Sequence, residues 1–176
     1  MDTVLDRLDN AIKEYLTSID SDALDYIDHR RLSEILTITT NLEHAGNVIE
    51  KSLMAQAAKR IRRGVSFSEP IRAEIRQMVE RLVSNARAAA AVCMTEDPRA
   101  ARRLLSEKEV FRELELRATD EHFGPARTGR AGSIEVSKLR LDIVLHLKRV
   151  NAHLAAAAYP ILEGRGELLP SRLKQD

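Results

Sequence analysis

Apolar residues recur along most of the chain in steps of three and four, the spacing that gathers them on one face of a helix. Val4, Leu5, Leu8, Ile12, Tyr15 and Leu16 predict a first helix over 3–18, with Asp9 and Lys13 one turn apart on its other face. "SIDSDALDY" offers Asp20 or Ser21 as a helix cap, and Leu24 and Ile27 then open a second helical region. Its main part spans about 32–63, where Ile35, Ile38, Leu42, Ala45 and Ile49 step 3, 4, 3, 4 in a heptad-like seam. Gly64 ends it. Ser68 as N-cap and Pro70 in the first turn start a third helix over 69–95, which turns Ile71, Ile75, Met78, Leu82 and Val83 inward. Asp97 and Pro98 begin a fourth over 98–122, with Ala101, Leu104, Leu105, Val110, Leu114 and Leu116 inward. "HFGPARTGRAGS" holds three glycines and a proline, so residues 123–133 read as the clearest loop. Ser133 is expected to cap a last helix over 134–163, with Glu135 in its first turn and a seam of Ile143, Leu147, Val150, Leu154, Ala157 and Ile161. No segment alternates with period two between turn signals. The fold class is all-α, an antiparallel helical bundle.

A faint internal repeat accompanies the pattern. Setting "LTITTNLEHAGNVIEKSL" (36–53) against "LDIVLHLKRVNAHLAAAA" (141–158) pairs Leu36 with Leu141, Ile38 with Ile143, Leu42 with Leu147 and Ile49 with Leu154. These are core positions that any two bundle helices share.

Composition narrows the class. At 176 residues the chain is expected to form one domain over 1–176. With 3% aromatics and no Trp, its core must be built from Leu, Ile, Val, Ala and Met, as in a bundle. Twenty-eight basic residues stand against 27 acidic ones, so nothing in the total points to nucleic acid. The local run Lys59-Arg60-Ile61-Arg62-Arg63 reads as a solvated helix end, with an anion or lipid head groups as the functional alternative. Cys93 is alone, which excludes an internal disulfide and suits a reducing, cytoplasmic setting. The acidic start MDTVLDRLDN lacks the basic region of a signal peptide, and no segment is apolar enough to cross a bilayer.

Two constellations carry candidate chemistry. Asp142, His146, Arg149 and His153 step 4, 3, 4 and form a polar stripe beside the last helix's seam. Asp142 and His146 could hold one side of a metal ion, but two ligands on one helix are not a site. The alternative is a polar edge with Arg149 paired across the bundle. In "NLEHAGNVIE", Glu43, Asn47 and Glu50 line one face. Glu43 and Glu50 lie about 10.5 Å apart along the axis, too far to share one ion. Glu43 with Asn47 offers oxygen donors to a hard cation; a solvated inter-helix face is the plainer reading. The sequence lacks a Glu-x-x-His pair, His-Glu-x-x-His, a phosphate loop and Gly-x-Ser-x-Gly, so no enzyme class is signalled.

"NLEHAGNVIEKSL", "FSEP", a charged helix ending near "DEHFGPARTG", and "EVSKLRLDIVLHLKRVNAHLAAAAYPIL" together resemble the PhoU family of phosphate-uptake regulators. The likeness is strongest to the PhoU-like domain that ends bacterial sodium/phosphate cotransporter-related proteins. It covers about residues 30–163 and is most specific at Glu43, His44, Gly46, Asn47 and Glu50, and at Asp142, Lys148, Arg149, Asn151 and His153. The resemblance implies two repeated three-helix bundles, about 1–66 and 67–163, followed by a C-terminal tail over 164–176. It further implies a regulatory role exerted through contact with a membrane phosphate transporter domain, in the same or a separate chain.

The family's metal pattern, an acidic residue followed four positions later by Asp, maps onto Glu43 and Asn47 in the first repeat. In the second it maps onto Lys148 and Ala152, where both oxygen donors are gone. At most a weakly bound divalent metal is expected at Glu43 and Asn47, and no other cofactor. Lys148 is expected to reach Glu43 or Glu50 of the other repeat. The resulting expectation is a non-enzymatic cytoplasmic module of phosphate uptake, tethered to the inner membrane through a transporter and not inserted itself, with the loop 123–133 as its adjustable contact. A metal-dependent bundle enzyme or metal store, and a plain homo-dimerisation bundle, remain the alternatives.

Overall fold

The computed structural model describes residues 4–20, 24–126 and 131–167, the side chains of 123–126 and 131–133 excepted. It is all-α. Helix α1 covers Val4–Thr17. A long rod follows as α2 (Tyr26–Asn47), a π-helical segment (Val48–Leu53) and α3 (Met54–Arg62). Helices α4 (Glu69–Thr95), α5 (Pro98–Ala126) and α6 (Ala131–Ala155) complete the long elements. A 3-10 turn at Ala156–Ala158 leads into the short α7 (Tyr159–Glu163). No described helix is long and apolar enough to cross a membrane.

Helix α6 is the axis. It packs on α4, α5 and the α2 rod, while α1 lies on α2. Helices α4, α5 and α6 thus pack on one another, the α2 rod lies against α6, and α1 lies outside it on α2. One core cluster joins Ala45 and Val48 to Met78, Leu82, Phe111, Ala118, Val144, Leu147, Val150 and Leu154. A second is dominated by alanines, with Ala89, Ala101, Ala155, Ala157 and Ala158 around Val92, Leu104, Ile161 and Leu162. Side chains that end at Cβ let the helix backbones approach closely there. Pro160, which has no N–H to donate, follows the 3-10 turn in the first turn of α7.

Several expected details shift. The cap of α2 is Asp25, whose Oδ1 accepts from the Asp28 N–H at 2.8 Å; the expected Asp20 is not the cap, and Ser21 lies outside the described residues. Ser68 does occupy the N-cap of α4, though its side chain makes no capping bond. Gly64 ends α3 at φ +61, a left-handed conformation that favours a residue without Cβ. Helix α5 runs on to Ala126 and α6 has already begun at Ala131, so Ser133 is not a cap. Of the expected loop 123–133, residues 123–126 and 131–133 are helical, and 127–130 lie outside the described residues.

The seams rotate as well. Ala45 is buried as expected and Val48, where the π segment begins, joins it, while Leu42 and Ile49 of the expected seam are exposed. In α5 Ala101 and Leu104 are buried as expected and Phe111 and Ala118 join them, with Leu116 exposed; in α4 Val83 is exposed; in α6 Val144 is fully buried beside the expected seam. Helix α1 departs furthest. Val4, Leu5, Leu8 and Tyr15 are exposed, whereas Asp9, expected on the solvent face, is buried and receives Lys13 Nζ at 2.6 Å.

Candidate functional site

Part of the family-like motif, Glu43, His44, Asn47 and His153, gathers where α2 crosses α6. Gly46 lies under α1: a Cβ there would stand 2.3 Å from Leu5 Cδ1, so glycine permits the close approach. Around it, Asn47 Nδ2 donates to Glu43 Oε1, and His44 Nδ1 stands 3.0 Å from Glu43 Oε2. Across the crossing, the His44 and His153 rings lie 5.4 Å apart at 45°, and His153 Nδ1 is 3.0 Å from Asn41 Oδ1. Burial first, then His44 and Arg149, holds the His153 imidazole below its usual value, against a smaller opposing pull from Glu43.

The other motif residues point elsewhere. Lys148 reaches Glu115 on α5, not Glu43 or Glu50, because its place on α6 faces the α5 side of the core. Glu50 is exposed on the π segment. Arg149 is exposed and makes no ion pair with another described residue, so the expected pairing across the bundle is not formed there. Asp142 and His146 make no hydrogen bond to one another; the buried His146 Nδ1 has no hydrogen-bond partner among the described residues. Burial and Arg149 hold that imidazole low, while Asp142 pulls the other way.

Asn151 has a different role from its neighbours. It is 1% exposed in the core, and its Oδ1 accepts from Asn85 Nδ2 at 2.8 Å. Asn85 also donates to Glu107 Oε2 at 3.3 Å, and Arg81 Nη1 grips both oxygens of Glu107 at 3.0 and 3.2 Å. This chain ties α4, α5 and α6 together. A second tie is Arg140, which sends two bonds to Glu74 on α4, at 2.6 and 2.8 Å, and another to Glu121 on α5. These carboxylates push its already high pKa higher still, the hydrogen bond to Glu74 most of all. Neither network was legible in the periodicity. The local signal for Asn85 was its place three positions after Leu82, a polar residue on the seam of Ile71, Ile75, Met78 and Leu82.

The donor chemistry at the family's metal positions does not suit a multinuclear cluster. The Glu43 carboxylate is engaged by an amide and an imidazole. At the second position an ammonium replaces a carboxylate and repels a cation. Among the described residues no group of three or more His, Cys, Asp or Glu is arranged to hold a metal ion.

The chain is similar to proteins of phosphate transport. It is 34% identical over 153 residues to a Salmonella typhimurium (strain LT2) protein named "Putative inorganic phosphate export protein YjbB", and 32% identical over the same length to its namesakes in Escherichia coli (strain K12) and Shigella flexneri. These alignments cover 87% of this chain but 28% of each relative, so the chain spans little more than a quarter of the length of the curated relatives it matches. No family model matches the chain, and no solved structure matches it. The described matching length is large enough to include the α2–α6 crossing and both core networks.

Proposed function

We propose that this chain is a PhoU-like regulatory domain of inorganic phosphate transport, acting by contact with a membrane transporter domain and not by catalysis. The observation that carries the reading is the similarity over 153 residues to proteins whose names specify inorganic phosphate export. The all-α bundle supports it, as does the motif face, where the Glu43 carboxylate is engaged by Asn47 and His44 instead of being aimed at a reacting centre. The resemblance of the sequence suggested uptake, while the relatives are named for export. The domain's effect is therefore read as a change in net phosphate flux. The setting proposed is the cytoplasmic face of the inner membrane, with the transporter in the same or a separate chain.

Radiolabelled phosphate uptake and efflux in cells lacking the gene for this chain, with and without its restoration, test the proposal. Net flux should shift on deletion and return on restoration; unchanged flux in both directions would count against it. The amide at Asn47 and the ammonium at Lys148 further predict less than one tightly bound transition metal per purified chain. Elemental analysis finding several per chain would defeat that part.

A further inference from the structure

An apolar groove of about 390 Å³ lies between α3 and α4, with α6 as its floor. Leu53, Ala57, Phe67, Ile75, Ile143 and Leu147 supply its greasy surface. Three arginines stand on its rim. Arg60 lies over the Phe67 ring, 5.1 Å from its centre, and donates to the Val65 carbonyl at 3.2 Å. Arg72 donates to the Phe67 carbonyl at 3.1 Å and pairs with Glu69. Arg76 makes no ion pair with another described residue. The linker between α3 and α4 therefore fixes two guanidinium groups by their backbone contacts, and Glu69 is the one carboxylate paired among the three.

The same end of α3 carries Lys59, Arg62 and Arg63, of which Arg63 pairs with Glu135. Met54, which lines the groove, is itself exposed, and Ile61 on the same helix is 79% exposed. An apolar concavity ringed by cations is complementary to a rod with an apolar stripe and acidic flanks. A flat bilayer surface would meet the rim but could not fill the hollow.

We propose that this groove is a docking site for an amphipathic helix with acidic flanks, supplied by the phosphate transport partner. The groove receives two or three apolar side chains at helical spacing, and the arginines meet the carboxylates on either side. The inference rests on the proposed function only for the source of the helix; the groove's preference is a property of this chain alone. It also gives the basic run at 59–63 a use beyond a solvated helix end.

The test uses the whole chain and a fluorescent synthetic helix with Leu at i, i+3, i+4 and i+7 and Glu along both flanks. A matched peptide with Lys for every Glu and vesicles of phosphatidylglycerol serve as comparisons. Saturable binding of the Glu peptide is expected, about tenfold or more tighter than the Lys peptide and weakening with salt. Arg76→Glu should weaken it by a similar factor, and Ala57→Trp, which fills the hollow while leaving every charge, should do the same. Unchanged helix content and melting temperature would show that both variants still fold. The proposal is overturned if the Glu peptide does not bind, binds no tighter than the Lys peptide, or survives both substitutions. It is equally overturned if only the vesicles bind, which would make the patch a lipid surface. Should cellular phosphate flux depend on the chain while the Arg76→Glu variant restores it fully, the regulatory role stands and the groove falls.

Discussion

The α4–α5–α6 unit and the α1–α2–α3 layer draw on the same aliphatic residues and bury them very differently. In the first, Met78, Val92, Leu104, Phe111 and Val144 are all but inaccessible, and two polar networks cross between the helices. In the second, Ala45 and Val48 are the buried apolar residues, while Val4, Leu8, Leu42, Ile49, Met54 and Ile61 face outward. A scaffold closes its seams on itself. The layer outside it keeps apolar side chains available, next to cations at the α3 end. That contrast places the closed core in one half and the exposed apolar side chains, where the proposed partner would dock, in the other.

The largest blow to the contrast should come from Phe111→Ala. This fully buried ring lies at the centre of the first cluster, so its loss should cost about 3–5 kcal/mol in chemical denaturation. Leu42→Ala, on the outer layer, should cost less than about 1 kcal/mol. Similar losses at the two positions would abolish the distinction.

Arg140→Ala should rank next, at about 2–3 kcal/mol. It strands the largely buried Glu74, although Glu121 remains in solvent. A melting temperature that barely moves would mean the three-helix tie is ornamental. Asn151→Ala should follow at about 1–2 kcal/mol, because Asn85 Nδ2 loses its core acceptor and keeps only the longer bond to Glu107. Denaturation of the Asn85→Ala, Asn151→Ala double variant gives the coupling: strict additivity would deny that the two amides act as a pair.

The smallest expected effect is on pH dependence. Burial holds the His153 and His146 imidazoles below their usual value near 6.5, so the folded chain takes up these protons less readily than the unfolded one. Their contribution to stability is complete above the unfolded value and is lost as pH falls through the lower folded values. Thermal melts should therefore weaken as the solution is acidified below about pH 6.5, and His153→Gln should flatten part of that slope. A slope identical in the variant would remove His153 from the account.

Residue order carried far into the fold. Helix α4 was legible to its ends, because Ser68 and Pro70 mark its start and a steady three–four pattern runs to Thr95. Helix α5 was underestimated because Gly124 and Pro125 are strong breakers in isolation, yet the helix continues through them to Ala126. Of the candidate site residues, Glu43, His44, Asn47 and His153 do gather at one crossing, while Gly46 faces α1. Lys148 and Asn151, in the same run of sequence, turn toward α5 and the core. Spacing assigns a face of the helix but not the neighbour that covers it.

Taken alone, the sequence determined the helical class, the order and approximate span of the long elements, and which stripes were apolar, since helical periodicity is a local property. The tertiary structure decided which stripe was covered. It left Leu42 and Ile49 of the α2 seam exposed, brought Arg140 to Glu74 across sixty-six positions, and left the α3–α4 groove open. Those outcomes depend on contacts between residues far apart in the chain, and such contacts leave no period in the sequence.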